Sequence, residues 1–356
     1  MTVREVGIEE ARRLRDEGYR VVDVREPVEW AAGRIAGATH IPLGDLPSRM
    51  SSDLPDRDER LLLYCRSGAR SARAGSFLEA NGYANIVNLD ALVTDWKSSG
   101  GPWEEEGVAE PPFSPRYARQ VLIPEVGVEG QRRLRDARIL VVGAGGLGSP
   151  TALYLAAAGV GTIGIVDDDA VEESNLQRQV LHRTEDIGER KVDSAERTLR
   201  ALNPETRVVK HDEHLDAGSV ERLIGGYDVV ADGSDTLETR YVLNDAAVRL
   251  RKPVVHASVY RWEGLVTTFL PFQGPCYRCL YPIQPPDELA PACDVAGVMG
   301  VLPGLAGVLQ ATEVLKLLLG AGETLAGRLL TFDARAGRFD EVTVARDPSC
   351  PACGTA

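Results

Sequence analysis

The chain has 356 residues, among them 36 Gly, 21 Pro and 6 Cys. Its 40 Lys and Arg face 53 Asp and Glu, a formal net charge of −13. That balance argues against nucleic acid or an anionic membrane surface as a partner, because both reward clustered cations. With 44% apolar residues the chain is neither a disordered tail nor a disulfide scaffold. At about 100–200 residues per domain, two domains are expected.

The N-terminal ten residues carry charges and no apolar run, so no secretion signal is expected. The longest apolar stretch, residues 298–320, holds Pro303, Glu313 and Lys316. Those residues interrupt it, so it reads as a buried loop and helix and not as a membrane span. The expected compartment is the cytoplasm, where thiols stay reduced. Each cysteine then needs a reason as metal ligand, reactive thiol or core residue.

The elements alternate between strand and helix. Arg20–Val24 and Arg60–Tyr64 read as short strands. Gly68–Asn81 has helical spacing with Ala72, Phe77 and Leu78 on one side. Residues 100–115 (GGPWEEEGVAEPPFSP) show no hydrophobic period and read as the linker. The division is residues 1–105, a linker at 106–115 and residues 116–356. Beyond it, Ala137–Val142 reads as a strand, Ser149–Ala158 as a helix and Thr162–Val166 as the next strand. Asp228–Ala231 and Pro253–Ala257 look like further buried strands. The pattern predicts an α/β protein with parallel sheets in both parts.

Gly143-Ala144-Gly145-Gly146-Leu147-Gly148 matches G-x-G-x-x-G between a predicted strand and a predicted helix. Glycines let a phosphate approach the backbone, and the helix N-terminus favours its charge. Asp167, ending the next strand, is placed to take ribose hydroxyls. The loop alone fits NAD or FAD as well as ATP. Ser174, Asn175, Gln177, Arg178, Lys191 and the Asp232-Gly233-Ser234-Asp235 turn add cations, amides and a carboxylate. Those groups suit a triphosphate with Mg²⁺ better than a dinucleotide. No GxxxxGK[ST] loop occurs.

Here the sequence resembles a family. RYARQ (Arg116–Gln120), GAGGLG, IVDDD, SNLQRQ, DIGERKV, GSDTLETR and GPCYRCLYP occur in the order found in MoeB/ThiF adenylyltransferases. The resemblance runs from Ser114 to the C-terminus and implies a Rossmann-like adenylation domain. It implies that Gly143, Gly145, Gly146, Gly148, Asp167, Asp169, Ser174, Asn175, Gln177, Arg178, Lys191, Asp235 and Thr236 bind ATP and Mg²⁺. It also implies that Arg119 reaches the triphosphate from the other subunit of a homodimer. Thr236 departs from the family, which usually has Asn after the Asp.

Cys276-Tyr-Arg-Cys279 and Cys350-Pro-Ala-Cys353 are two C-x-x-C pairs that together suit a tetrahedral Cys₄ zinc. Spacing does not make them meet, and a redox C-x-x-C is the alternative. The resemblance pairs these positions around a structural Zn²⁺. It also places Cys293, in the Pro-rich stretch 285–297, where sulfur-transferring members carry a loop cysteine.

Cys65-Arg66-Ser67-Gly68-Ala69-Arg70-Ser71 follows one predicted strand and opens a helix. Loop N–H groups, the helix dipole and arginines stabilise a thiolate or persulfide at such a turn. Residues 1–105 resemble a single-domain rhodanese through Asp23-Val24-Arg25 with Glu29, GRIAGA (33–38), Ile41-Pro42, CRSGARS and Asp95-Trp96. The resemblance makes Cys65 the persulfide carrier, cradled by Arg70 and the loop amides. The Cys65–Arg70 loop is one residue shorter than that of related phosphatases, which favours sulfur over phosphate. Known fusions usually place this domain second; here it comes first.

His211-Asp-Glu-His214 reads as a solvated segment. His40, His182 and His256 show no partner in the sequence. The expected function is adenylation of the C-terminal carboxylate of a small ubiquitin-like sulfur carrier ending in Gly-Gly, with sulfur delivered from Cys65. Cys65, Cys293, Arg70, Arg119, Arg178, Lys191 and Asp235 are the candidate catalytic residues. Thiosulfate or a cysteine desulfurase is the expected sulfur donor. The competing readings are an NAD-dependent persulfide reductase and a non-catalytic module that binds ubiquitin-like proteins.

Overall fold

The computed structural model describes residues 3–104, 113–285 and 297–354. The chain divides into two compact units, Met1–Arg116 and Tyr117–Ala356.

In the first unit the elements are β1 (Arg4–Val6), α1 (Ile8–Asp16), β2 (Arg20–Asp23), α2 (Pro27–Ala31), β3 (Arg34–Ile35), β4 (Thr39–His40), α3 (Leu46–Asp53), β5 (Arg60–Tyr64), α4 (Ala69–Ala80), β6 (Asn85–Leu89), α5 (Val93–Ser98) and β7 (Trp103–Glu104). Five strands form a parallel sheet in the order β1-β6-β5-β2-β4. Central β5 buries Leu61 and Leu63 on one face, with Val22, Ile41 and Leu78. Leu62 and Tyr64 go to the other face, with Val21, Ile35 and Trp96. A strand covered on both faces has no polar side, which explains the RLLLY run. The chain leaves β5 at Cys65 and enters α4, so that cysteine sits at the end of the central strand.

Two expectations change here. The buried face of α4 is Ser71, Ala74, Gly75 and Leu78, while Ala72 and Phe77 are half-buried at its edge. The stretch from 100 is not linker throughout. Trp103 and Glu104 form β7, antiparallel to β3. Pro102 O accepts from Ala36 N–H and from Trp96 Nε1, both at 3.1 Å. Glu104 pairs with Arg34 at 3.2 Å and accepts from Gly37 N–H at 3.0 Å. Tryptophan and a tied carboxylate outweigh the local Gly-Pro signal.

The second unit contains α6 (Gly127–Asp136), β8 (Arg138–Val142), α7 (Gly148–Ala158), β9 (Thr162–Val166), α8 (Lys191–Leu202), β10 (Arg207–His211), α9 (Val220–Gly225), β11 (Val229–Asp232), α10 (Leu237–Leu250), β12 (Val254–Tyr260), β13 (Glu263–Phe269), α11 (Tyr277–Leu280), α12 (Val301–Leu319), β14 (Arg328–Asp333) and β15 (Arg338–Thr343). Its sheet runs β10-β9-β8-β11-β12-β13-β14-β15. The first five strands are parallel and the last three antiparallel, so the sheet is mixed where the sequence pattern predicted a parallel one. The reversal is a tight β12–β13 hairpin, in which Arg261 takes the left-handed φ of 53°.

From β8 the chain builds outward to β9 and β10, then crosses back to β11 and β12. The order therefore reverses between β8 and β11. Loops leaving the carboxyl ends of those two strands diverge and leave a crevice, the usual ligand position in such sheets.

The stretch read as a loop and helix is a short loop followed by one continuous helix over residues 301–319. Pro303 lies in its first turn, where a missing N–H costs nothing. By length and composition α12 could cross a membrane. Instead it packs on α7, β12 and β13. Its polar side chains are part of that packing. Gln310 Nε2 donates to Asp232 O and Val255 O, both at 2.8 Å. Glu313 accepts from Thr268 Oγ1 at 2.9 Å and Leu325 N–H at 2.6 Å.

Trp103→Ala should destabilise the first unit by about 1–3 kcal/mol, in line with loss of a packed aromatic. Hydrogen exchange of the β5 amides during urea titration measures this. Unchanged protection would return the boundary to residue 100.

Candidate active sites and metal centre

The crevice between β8 and β11 is an open cleft of about 630 Å³. Its lining includes Gly143, Gly145, Gly146, Asp167, Asp169, Arg178, Lys191 and Asp235, eight of the residues singled out from sequence. Gly148 lies behind it, at the start of α7. A Cβ there would stand 1.8 Å from Gly143 O, so only glycine lets the chain turn from β8 straight into the helix. Gly143 itself has φ 85°.

Asp167 closes the loop from below. Its carboxylate accepts from Ala144 N–H at 2.8 Å and Asp169 N–H at 2.9 Å. Burial pushes its pKa up, against the pull of Lys191 and those two N–H groups. Lys191 opens α8 with its side chain only 7% exposed. Its ammonium lies 2.7 Å from Asp169 and 3.8 Å from Asp167. Arg178 is half-buried and donates to Ser174 O at 3.1 Å. Two cations and the loop amides thus face one cleft, a surface suited to a polyphosphate.

Ser174, Asn175, Gln177, Thr236 and Arg119 do not line the cleft. Asn175 is buried and accepts from Glu172 N–H at 3.2 Å, shaping the turn that carries Arg178. Thr236 caps α10, its hydroxyl accepting from Thr239 N–H at 3.3 Å. Its hydroxyl therefore serves the helix end beside Asp235. Asp235 is exposed at the cleft rim, and Arg119 is exposed outside it.

Ser234 of the quoted turn also lines the cleft, as do Gln179, Val259, Val298 and Pro303, which sequence reasoning missed. Gln179 was visible inside SNLQRQ. The last three come from β12, the approach to α12 and its first turn, and no local signal connects them. Also missed was the buried support under Asp235. Asp232 accepts from Ser234 N–H at 3.1 Å, Ser234 Oγ at 2.6 Å and His256 Nδ1 at 2.7 Å. Burial opposes the Asp232 charge, but His256 and Ser234 outweigh it and its pKa is lowered. Burial lowers the His256 pKa against the pull of Asp232, to which its Nδ1–H donates.

Each unpaired histidine has a place. His40 Nε2 lies 2.8 Å from Arg25 O, and its ring stacks on Trp30. His182 is buried and hydrogen-bonded through both ring nitrogens. His214 is exposed, as read, but His211 is half-buried against Tyr227 Oη at 2.7 Å.

In the first unit Cys65 is 2% exposed and lies 3.4 Å from Ser71 Oγ. Burial opposes ionisation of its thiol. The Ser71 hydroxyl and the N–H groups of Ser67, Ser71 and Arg70 outweigh burial and hold the pKa below the usual value. The Arg70 guanidinium is not wrapped around the sulfur. It forms a double bridge to Glu29 at 2.7 and 2.8 Å, and its backbone N–H faces Cys65.

The two C-x-x-C pairs meet. All four Sγ atoms lie within 4.8 Å of one another. The closest pairs are Cys279–Cys353 at 3.5 Å and Cys276–Cys350 at 3.6 Å. A tetrahedral thiolate site with metal–sulfur bonds of about 2.3 Å needs sulfurs roughly 3.8 Å apart. The cluster could therefore hold a metal. Burial pushes Cys276 and Cys279 upward, reinforced by neighbouring sulfurs. Cys293 lies outside the described residues.

Residues 117–352 match the ThiF family model. The chain belongs to the ThiF family. Residues 8–99 match the rhodanese-like domain model. The sulfur carrier protein adenylyltransferase of Thermus thermophilus is 50% identical over 244 residues, 67% of this chain and 90% of that protein. The SAMP-activating enzyme E1 of Haloferax volcanii is 50% identical over 239 residues, 67% of this chain and 88% of that enzyme. The probable adenylyltransferase/sulfurtransferase MoeZ of Mycobacterium tuberculosis is 49% identical over 240 residues, 66% of this chain and 61% of MoeZ. Among solved structures, Escherichia coli MccB with ATP aligns at TM-score 0.61 and 22% identity, over 71% of this chain and 77% of that one. That likeness speaks for the fold.

Alkylation of Cys65 in the full chain, followed by site-resolved mass spectrometry, should reach half-maximum at a lower pH than a free cysteine thiol treated with the same reagent. Ser71→Ala should move that midpoint upward. A wild-type midpoint at or above the free value would show that burial wins.

Proposed function

We propose that this protein is an ATP-dependent adenylyltransferase and sulfurtransferase that acts on a small ubiquitin-like sulfur carrier ending in Gly-Gly. The observation that carries the reading is the cleft at the β8/β11 reversal, where the glycine loop, Asp167, Arg178, Lys191 and Asp235 converge. The relatives' names add the substrate class.

In the first step the carrier's terminal carboxylate attacks the α-phosphorus of ATP. A new P–O bond forms, the bond to the leaving pyrophosphate breaks, and an acyl adenylate results. Loop N–H groups, Arg178 and Lys191 stabilise the charge that builds on the phosphates. Asp167 holds the ribose and the loop together. Asp235 at the rim would hold Mg²⁺, which supplies charge neutralisation on phosphate oxygens. Arg119, exposed and outside the lining of its own cleft, fits a role across a homodimer.

In the second step the terminal sulfur of a Cys65 persulfide attacks the acyl carbon and AMP leaves. The resulting acyl disulfide is cleaved by a second thiol, which takes up the Cys65 sulfur in a disulfide and releases the thiocarboxylate. Cys293 is the proposed second thiol, and an external thiol returns both cysteines to the reduced state. Ser71 and the N–H groups around Cys65 stabilise the sulfur anion in each half-reaction, and Arg70 keeps the loop in place through Glu29. Thiosulfate or a cysteine desulfurase loads Cys65. Cys276, Cys279, Cys350 and Cys353 would bind Zn²⁺ as a closed structural site, with no ligand position left for catalysis. The setting is the reducing cytoplasm, where these thiols persist.

ATP–pyrophosphate exchange with a panel of small carriers tests the first step. Carrier-dependent exchange is expected. Lys191→Ala should reduce it by about 10²-fold or more, as loss of a charge-stabilising donor does. Cys65→Ala should leave exchange intact and abolish thiocarboxylate formation. No exchange with any carrier, together with NADH binding, would replace the reading with a reductase.

A mercurial titration of the four thiols, followed with a zinc indicator, should release one Zn²⁺ per chain. Its loss should destabilise the second unit, because binding free energy of a structural zinc is folding free energy. A metal-free protein of equal stability would point instead to redox cysteines.

A further inference from the structure

Residue His182 lies directly beneath the glycine loop, where the proposed mechanism gives it no task. Its imidazole is 6% exposed. Nε2 lies 3.0 Å from Ala144 O, and Nδ1 lies 2.8 Å from Ser194 Oγ. A carbonyl oxygen only accepts, so Nε2 carries a proton and donates it to the loop. Ser194 is fully buried on α8, one turn after Lys191. Its hydroxyl also stands 2.6 Å from Asp186 Oδ2, and Asp186 accepts from Arg183 N–H at 2.8 Å. Ser194 has one hydroxyl proton, shared between Nδ1 and the Asp186 carboxylate, and the ring cannot turn without breaking the buried Nε2–H bond to Ala144 O.

The consequence follows from the peptide unit. In a planar trans peptide the C=O of one residue and the N–H of the next point in opposite directions. The described chain has no cis peptide bond. The Ala144 carbonyl points at His182, which does not line the cleft. The Gly145 N–H therefore points the other way, and Gly145 lines the cleft. The Ala144 N–H, on the preceding peptide, is held separately by Asp167 at 2.8 Å.

We propose that His182 is a positioning residue for the nucleotide: by gripping the Ala144 carbonyl it aims the Gly145 N–H at a bound phosphate. The inference rests on the reading of the cleft as an ATP site. The Ser194 link adds a second consequence. The same helix that carries Lys191 orients His182, so the cation and the loop N–H are set by one rigid element.

Calorimetric binding of a non-hydrolysable ATP analogue to the full chain is the test. His182→Phe keeps the ring volume and removes the donor. It should weaken binding about tenfold, the scale of one lost hydrogen bond to a charged ligand. His182→Gln, which restores an N–H at similar reach, should recover most of that loss. In ATP–pyrophosphate exchange His182→Phe should raise KM for ATP more than it lowers kcat, a split that general loosening of the fold does not give. Ser194→Ala, a smaller change, should weaken binding about threefold and serves alone if His182→Phe does not fold. Wild-type affinity in a folded His182→Phe, failure of Gln to rescue, or unchanged binding in Ser194→Ala when it stands alone would overturn the proposal. If wild-type protein binds no nucleotide, the ATP reading itself falls and takes this inference with it.

Discussion

The second unit depends on one steric fact. Between β8 and α7 the backbone passes so close to itself that a Cβ on Gly148 would lie 1.8 Å from Gly143 O. No side chain survives there, so the chain can turn from the central strand into a helix without a longer loop. The helix N-terminus and the loop amides then stand at the carboxyl end of β8. Because β8 borders the point where strand order reverses, the same amides form one wall of an open crevice. Arg178, Lys191 and Asp235 arrive on later segments, and each has meaning only because that wall exists.

The first unit solves a related problem with other residues. There too a central parallel strand, β5, ends at a short turn that opens into a helix. The turn holds Cys65, and the surrounding N–H groups face a sulfur anion. Both sites thus use the partial positive charge of unpaired N–H groups at a strand-to-helix turn. What differs is the nucleophile: the second unit leaves room for a ligand, and the first supplies its own sulfur. Ser71 and the Glu29–Arg70 bridge hold the smaller loop in the way that Asp167 holds the larger one.

Polar groups inside the second unit follow one rule. Gln310, Glu313, Asp232, His256, His182 and Ser194 are all buried, and each has partners. An unpaired buried carboxylate or amide costs free energy that a fold of this size cannot spare. For Asp232, His256 and His182 those partners lie at or just after the carboxyl ends of β11 and β8, beneath the cleft, whereas Glu313 ties α12 to Thr268 on β13 and to Leu325. The cysteine cluster is a further buried group, and its sulfur spacing suits a metal.

Much was legible before any coordinates. The glycine loop, Asp167, Arg178, Lys191 and the Cys65 turn are local patterns, and short-range sterics and helix-end electrostatics make such patterns readable one segment at a time. The RLLLY run was legible as a strand from its aliphatic composition, and its burial on both faces emerged only in the fold. The face of α4 and the pairing of Trp103 and Glu104 with β3 were not legible. Each depends on what a distant segment offers: a sheet face or the strand β3. The meeting of Cys276 and Cys279 with Cys350 and Cys353, and the place of His182 under Ala144, belong to the same class. The sequence alone determined which groups carry chemistry, because residue type and neighbouring backbone set that. Only the tertiary structure decided which groups share a site and which hold others in place, because hydrogen bonds and burial act across any distance in the chain.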